Sequence, residues 1–176
     1  MTANWEDRAA FCIVCAAPLE VREVFGSERK ACTACDYVQF RSPASAAATV
    51  VARGREVLLV QRGIRPFRGH WGFPAGFQDY WETAEEAALR ETREETGLEV
   101  ELLRLLDVWY TRDDPRKRVN VVVYLARPVA GTLAAADDAR DARFFSLDDL
   151  PDEIAFENGR ALLARLRAEF PDRDIE

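Results

Sequence analysis

Histidine occurs once in the 176 residues, as His70, and cysteine only four times. One histidine, with no serine motif and no cysteine nucleophile beside it, argues against a nucleophilic triad, so His70 reads as a loop residue. Basic side chains are also in deficit: 24 Lys and Arg face 31 Asp and Glu, a net charge of −7. Sequence-independent nucleic-acid binding depends on neutralising phosphates, and this balance disfavours it. Segment 1–41 does not change that, since Arg8, Arg22, Arg29, Lys30 and Arg41 face Glu6, Asp7, Glu20, Glu23, Glu28 and Asp36. Long apolar runs are missing as well. Those at 46–52, 57–60 and 121–126 are strand-length, far short of the ~20 residues that cross a bilayer, so no membrane association is expected. Residues 1–8 are polar and acidic with no signal-peptide core, which points to a reducing, cytoplasmic setting.

What is present begins with the cysteines. Cys12-x2-Cys15 and Cys32-x2-Cys35 are separated by sixteen residues and use every cysteine in the chain. Two such knuckles suit a tetrahedral, four-thiolate Zn2+ site; disulfides are the alternative, disfavoured by the expected compartment. A ribbon of roughly 30 residues buries too little apolar surface to fold alone, so the metal would hold it together. The expected organisation is a small zinc ribbon over 1–41 followed by a catalytic domain over 42–176, an ordinary size for a chain that is 48% hydrophobic and 31% charged.

The densest chemistry lies in Gly76-x5-Glu82-x7-Arg90-Glu91-Thr92-x-Glu94-Glu95-x-Gly97-Leu98. Thr83-Ala-Glu-Glu86 reads as a capping box, the alanines and Leu89 favour helix, and Gly97 is a C-terminal stop, so a helix is expected over 84–96. On that helix Glu91 and Glu95 share a face with Cβ atoms roughly 5–6 Å apart, and Glu94 sits beside them. Each like-charge pair costs about 0.2–0.5 kcal/mol when uncompensated. Mg2+ or Mn2+ bound through oxygen ligands would turn that cost into a site. The segment 72–77, Gly-Phe-Pro-Ala-Gly-Phe, is a loop punctuated for close backbone approach. An acidic solvated helix face is the plain alternative, which the full spacing argues against.

Around this motif, 44–52 and 56–62 read as a hairpin turning at 53–55, and 99–110 and 118–127 as two further strands. Residues 142–145 form a short strand, and 157–170 an amphipathic helix with Ala161, Leu162, Leu166 and Phe170 toward the core. Periodicity alone gives a mixed α/β protein.

The motif resembles the signature of the Nudix hydrolases, which cleave nucleoside diphosphates linked to a second moiety. That resemblance implies an α/β/α sandwich with a mixed sheet. By it, Glu91 and Glu95 are metal ligands, Glu94 is a further ligand or water activator, and Arg90 orients the glutamates. Glu82 is structural, and the Ala75 carbonyl and a later-loop carboxylate, Asp138, complete the ligation of Mg2+ or Mn2+. Thr92 departs from the family pattern, standing where an aliphatic residue usually packs behind the helix. The four-cysteine ribbon and Phe40-Arg-Ser-Pro43 are similar to the branch containing NADH, ADP-ribose and FAD pyrophosphatases, spanning about residues 11–170. The Ser-Gln-Pro-Trp-Pro-Phe run expected of NADH pyrophosphatases is absent; the chain reads Leu-Leu-Asp-Val-Trp-Tyr-Thr over 105–111.

The expected reaction is in-line hydrolysis of a small-molecule nucleotide, releasing AMP and the other half as its phosphate. Candidate substrate contacts are Phe40, Trp71, Phe73 and Tyr110 for stacking and Arg62 for phosphate, with Arg116, Lys117 and Arg118 as a surface cluster. A homodimer is implied by the resemblance. The rival readings are a nucleoside triphosphate or RNA-cap hydrolase, including NAD-type caps, and a non-catalytic ligand sensor.

Overall fold

A computed structural model describes residues 8–114, 117–171 and 173–175. Two compact units emerge, one from residues 1–43 with 115–118, the other from 44–114 with 119–176. Arg116 lies outside the described residues.

In the first unit, strands β1 (Leu19–Val24), β2 (Ser27–Cys32) and β3 (Val38–Gln39) form an antiparallel sheet in that order. Val24 pairs with Ser27 across a two-residue turn in which Phe25 and Gly26 have φ of 50° and 70°. Positive φ at both central positions is what a twist-compatible hairpin turn requires. Each knuckle folds back on its first sulfur: Val14 N–H donates to Cys12 Sγ and Ala34 N–H to Cys32 Sγ, both at 3.3 Å. The Ala34 bond leads the causes that lower the Cys32 thiol to about 6.

The second unit begins with β4 (Ala44–Arg53) and β5 (Glu56–Arg62), followed by the short β6 (Trp71–Gly72) and β7 (Ala75–Phe77). Then come α1 (Ala84–Thr96), β8 (Leu98–Thr111), β9 (Val119–Gly131), β10 (Ala139–Ser146) and α2 (Glu157–Glu169). The sheet runs β10-β5-β4-β9-β8 and is mixed: β4 lies parallel to β9, and the other neighbours are antiparallel. The β4–β5 hairpin is paired only at Ala52↔Val57 and Arg53↔Glu56. Beyond those pairs β6 hydrogen-bonds to β5 and β7 to β4. The segment carrying Ala75 and Gly76 is thereby inserted at a split in the sheet.

Alternation along β4 and β9 divides the core in two. Ala48, Val50, Ala52, Val123 and Leu125 face one side with Leu162, Leu163 and Leu166 of α2. Ala47 and Tyr124 face the other with Ala87 and Ala88 of α1, while Val51 and Ala126 pack there with Leu98 and Val100. One helix on each face gives the α/β/α sandwich. Ala161 is exposed, contrary to the expected core face of this helix, and Leu163 is buried instead. The small alanine at 161 cannot outbid a leucine two positions on, so the helix turns its Leu162–Leu163–Leu166 stripe inward. No side chain of its own caps α2, whose first residue Glu157 receives the Asp113 carboxylate on its N–H at 2.8 Å.

Candidate active site

Helix α1 starts and stops where its local chemistry dictates. Thr83 Oγ1 accepts from Glu86 N–H, the Glu86 carboxylate accepts from Thr83 N–H, and Gly97 closes the far end at φ 70° with its N–H on the Arg93 carbonyl. Thr92 is fully buried. Its hydroxyl bonds the Ala88 carbonyl at 2.7 Å and meets the hydroxyl of Thr49, also fully buried on β4, at 2.6 Å. The polar residue behind the helix is thus satisfied from the sheet, which keeps α1 seated.

Glu95 projects from this helix into the split sheet and is 5% exposed. Its Oε2 accepts the Ala75 N–H at 3.1 Å. Burial pushes its carboxyl up to about 8, against the pull of that hydrogen bond, and the charges of Glu91 and Asp138 push the same way as burial. Glu91 is raised too, chiefly by burial. A β-carbon built on Gly76 would lie 2.0 Å from Glu91 Cδ, so glycine is required there for the carboxylate to occupy the space beside the loop.

Arg90 braces the outer edge. Its Nε and Nη2 bond Glu82 at 2.5 and 2.9 Å, Nη2 reaches the Phe77 carbonyl at 3.0 Å, and Nη1 reaches Glu91 at 2.7 Å and Glu94 at 3.0 Å. The hydrogen bonds from Arg90 hold the Glu82 carboxyl at about 2. The loop 131–138 is tied to the end of α1, with Ala136 N–H on the Glu95 carbonyl at 3.1 Å and Ala134 N–H on that of Thr96 at 2.9 Å. This brings Asp137 and Asp138 into the site, where Asp137 acts on Glu91 and Asp138 on Glu95. The Asp138 carbonyl accepts Gly63 N–H at 2.6 Å.

Arg62, at the end of β5, is half-buried. Its Nε bonds the Pro66 carbonyl at 3.0 Å and its guanidinium lies 5.0 Å from the centroid of Phe156. Burial lowers its pKa, opposed by the charges of Glu95, Asp138 and Asp114. Arg62 therefore supplies positive charge within the same carboxylate cluster. Phe156 and Asp114 were not among the residues singled out from the sequence; nothing in their local context signals the site.

The aromatic candidates divide. Trp71 is partly buried and packs edge-on against Phe145 at 4.7 Å. Phe73 is 8% exposed in the core, which leaves little of its ring to a ligand. Tyr110 is exposed on β8. Phe40 belongs to the first unit, stacked at 6.3 Å on Phe25 with Arg29 over its ring. His70 lies in the loop before β6, edge-on to Phe67, and its carbonyl accepts Arg62 N–H.

The sulfurs of Cys12, Cys15, Cys32 and Cys35 all lie within 4.8 Å of one another, with contacts of 3.4 to 3.7 Å, and none is disulfide-bonded. Thiolates around a Zn2+ at ~2.3 Å sit roughly 3.7 Å apart, so this donor set fits zinc. The carboxylates of α1 fit a harder ion. Glu95 is buried with only the Ala75 N–H and the more distant charge of Arg62 to offset it, Glu91 stands beside it, and their oxygens are donors that Mg2+ and Mn2+ take.

A sequence profile of the NUDIX domain matches residues 42–166. The chain belongs to the Nudix family. It is a Nudix hydrolase, and it is 37% identical over 132 residues to the ADP-ribose pyrophosphatase of Methanocaldococcus jannaschii, covering 74% of this chain and 78% of that protein. It is 31% identical over 149 residues to the NAD-capped RNA hydrolase NudC of Pseudomonas aeruginosa, 84% of this chain but 51% of that protein. The chain thus spans about half the length of that relative. The crystal structure of a Nudix hydrolase from Nitrosomonas europaea superposes with a TM-score of 0.82 at 27% identity, covering 92% of each chain. No helix among the described residues is long and apolar enough to cross a membrane.

Proposed function

We propose that this Nudix hydrolase cleaves the diphosphate linkage of a nucleoside diphosphate derivative, ADP-ribose before FAD or an NADH-like dinucleotide, releasing AMP and the other half as its phosphate. The observation that carries this reading is the buried Glu95 beside the half-buried Glu91, set against the Ala75–Gly76 loop and bordered by Glu94 and Asp138. The Methanocaldococcus relative, whose length is largely covered, favours ADP-ribose among the candidates.

Ala75 through its carbonyl, Glu91, Glu94, Glu95 and Asp138 would hold Mg2+ or Mn2+, and Cys12, Cys15, Cys32 and Cys35 a structural Zn2+. Bound divalent ions neutralise diphosphate charge and acidify water at the reacting phosphorus. The chain's own residues supply the rest. Arg90 fixes Glu91 and Glu94 through one guanidinium, so that neither carboxylate has to be ordered when substrate arrives. Glu94, the more exposed of the two, takes the proton of the attacking water. Arg62 faces the diphosphate with a cation already desolvated, which strengthens its pull on phosphate oxygens. Of the four rings expected from the sequence to stack, Phe40 in the first unit and Tyr110 in the second are the exposed ones.

The test is a product-resolved panel with Mg2+ or Mn2+ offering ADP-ribose, NADH, NAD+, FAD, diadenosine polyphosphates, nucleoside triphosphates and NAD-capped RNA. AMP release from ADP-ribose, abolished in Glu95→Gln, supports the reading; hydrolysis confined to triphosphates refutes it. The NudC relatives favour a second reading, removal of NAD caps from RNA. Preference for the capped RNA over free NAD+, weakening with salt, would establish it.

A further inference from the structure

We propose that Tyr80 and Trp81 form a stacking platform for a planar heterocycle of the substrate, a specificity element that rests on the dinucleotide reading above. Tyr80 is 87% and Trp81 88% exposed, the most open aromatic rings of the described residues, and they meet edge-to-face with centroids 4.5 Å apart. The pair presents one ring face and one ring edge, the two surfaces on which a heterocycle stacks or abuts.

Their exposure is imposed by a braced loop. Gln78 N–H donates to the Ser45 carbonyl at 3.1 Å, and Ser45 Oγ to Gln78 Oε1 at 2.7 Å. The Gln78 side chain also donates to the Glu82 carbonyl. Asp79 N–H reaches the Glu82 carboxylate at 3.1 Å, and Glu82 N–H the Asp79 carbonyl at 3.2 Å. Arg90 clamps both ends, holding the Phe77 carbonyl and the Glu82 carboxylate. A loop held this firmly keeps its rings presented without the ordering cost that a mobile loop incurs on binding.

The same clamp ties the platform to the chemistry. Trp81 directly precedes Glu82, and the guanidinium that grips Glu82 also holds Glu91 and Glu94. Charge sorts the substrate along this line. Arg62 draws the diphosphate to one end of the cluster, whereas Asp79 and the acidic first turn of α1, Glu85 and Glu86, repel phosphate from the platform. A neutral or cationic ring with donor groups, such as adenine or nicotinamide, is the part of a dinucleotide that fits there. Size argues the same way. Two aromatic side chains offer roughly 300–500 Å², well under the roughly 800 Å² per partner of a standard protein interface.

Trp81→Ala, Trp81→Phe and the Tyr80→Ala/Trp81→Ala double variant test this, none of which removes a core contact. With ADP-ribose, Trp81→Ala should raise KM about tenfold, within the range of a lost base stack, and leave kcat within twofold; Trp81→Phe should restore KM. A base-free analogue, two riboses joined 5′ to 5′ through a single diphosphate, should show the same KM in all proteins. A KM for ADP-ribose that does not move, or that rises equally for the base-free analogue, overturns the platform. Calorimetric titration with AMP and with nicotinamide mononucleotide separates this from the functional reading. If wild type hydrolyses no dinucleotide, that reading fails, yet weaker binding of either mononucleotide to Trp81→Ala still supports the platform and shows which ring it takes. Equal affinities overturn it, as does a wild-type dimer that Trp81→Ala splits without changing KM.

Discussion

In the ribbon the buried side chains among the described residues are Cys12, Ala31 and Cys32, while Phe11, Ile13, Val14, Val21, Phe25 and Phe40 stand in solvent. In the sheet unit, Val50, Val51, Val57, Leu58, Leu59, Val123, Leu125 and Leu147 are sealed almost completely. Both units gather candidate metal donors, four thiols in one and a set of carboxylates in the other, and on the proposed reading they do so in opposite causal order. The ribbon has almost no core of its own, so in the proposed zinc site an ion joining its four sulfurs would hold its strands together. The sheet unit has core to spare and uses it to force Glu95 into a place where a lone carboxylate is unfavourable. One unit is made by its donors; the other makes them.

That comparison is broken most severely from the ribbon side. Zinc chelation, or Cys15→Ser, should unfold β1–β3 outright, since a structural zinc site contributes about 10–16 kcal/mol. Hydrogen exchange should show those amides unprotected while β4, β5 and β9 keep their protection. Protected ribbon amides in a zinc-free chain would overturn the contrast, and metal analysis should find about one zinc per chain.

The converse change is Glu95→Gln, which should lower turnover by about 10²–10⁴-fold with the fold intact. Through this carboxyl the stability of the wild type should depend on pH with a definite sign. The folded carboxyl, raised to about 8 from 4.5, retains its proton where the unfolded chain has lost it. The Glu95 contribution to the stability of the metal-free wild type is therefore full below about pH 4.5 and is lost as pH rises toward 8. Thermal melts without divalent ions should show Glu95→Gln melting above wild type at pH 8, with the gap closing at pH 4. A gap that is constant with pH would show that Glu95 carries no such strain.

Gly76→Ala is a gentler probe. Its new methyl must displace Glu91, and a misplacement near 1 Å costs up to about 10²-fold in rate. Melting should change little, and an unchanged kcat/KM would show that the Glu91 position is dispensable. Smallest is Thr92→Val, which leaves the Thr49 hydroxyl without its partner and should cost about 1–3 kcal/mol. Adding Thr49→Val should recover most of that loss, and additive losses in the double variant would deny the pairing.

How legible each part was in the sequence follows the range of the forces involved. Helix α1 was readable to the residue because its capping box, alanines and Gly97 act within one or two turns. The cysteine knuckles were readable for the same reason. Ala161 turns outward because Leu162 and Leu163 are both taken into the core, an inner face that only the packing against the sheet sets. The 44–62 hairpin was visible, but its opening around β6 and β7 was not, since two- and three-residue strands leave no periodicity to read and are set by their pairing with β5 and β4. Trp71 and Phe73 looked like stacking rings and are packed to different depths, whereas Tyr80 and Trp81, passed over, are open. Residue type identifies an aromatic ring; only packing says which side of the surface it is on. Thr92 looked out of place until Thr49 supplied its partner.

The parallel pairing of β4 with β9 has a consequence for the order in which the molecule is made. Ala44 meets Val119, about 75 residues later in the chain, a separation that delays closure. On a ribosome adding ~5–20 residues per second, β9 ends roughly 2–7 s after α1 does. Until it arrives, Glu91 and Glu95 sit on a helix with half a sheet behind it, and Asp138 has yet to be synthesised. The four cysteines, all within the first 35 residues, are available long before. On the proposed reading a nascent chain would therefore take up its thiolate-bound ion early, while the carboxylate centre would gain its affinity only when most of the protein exists.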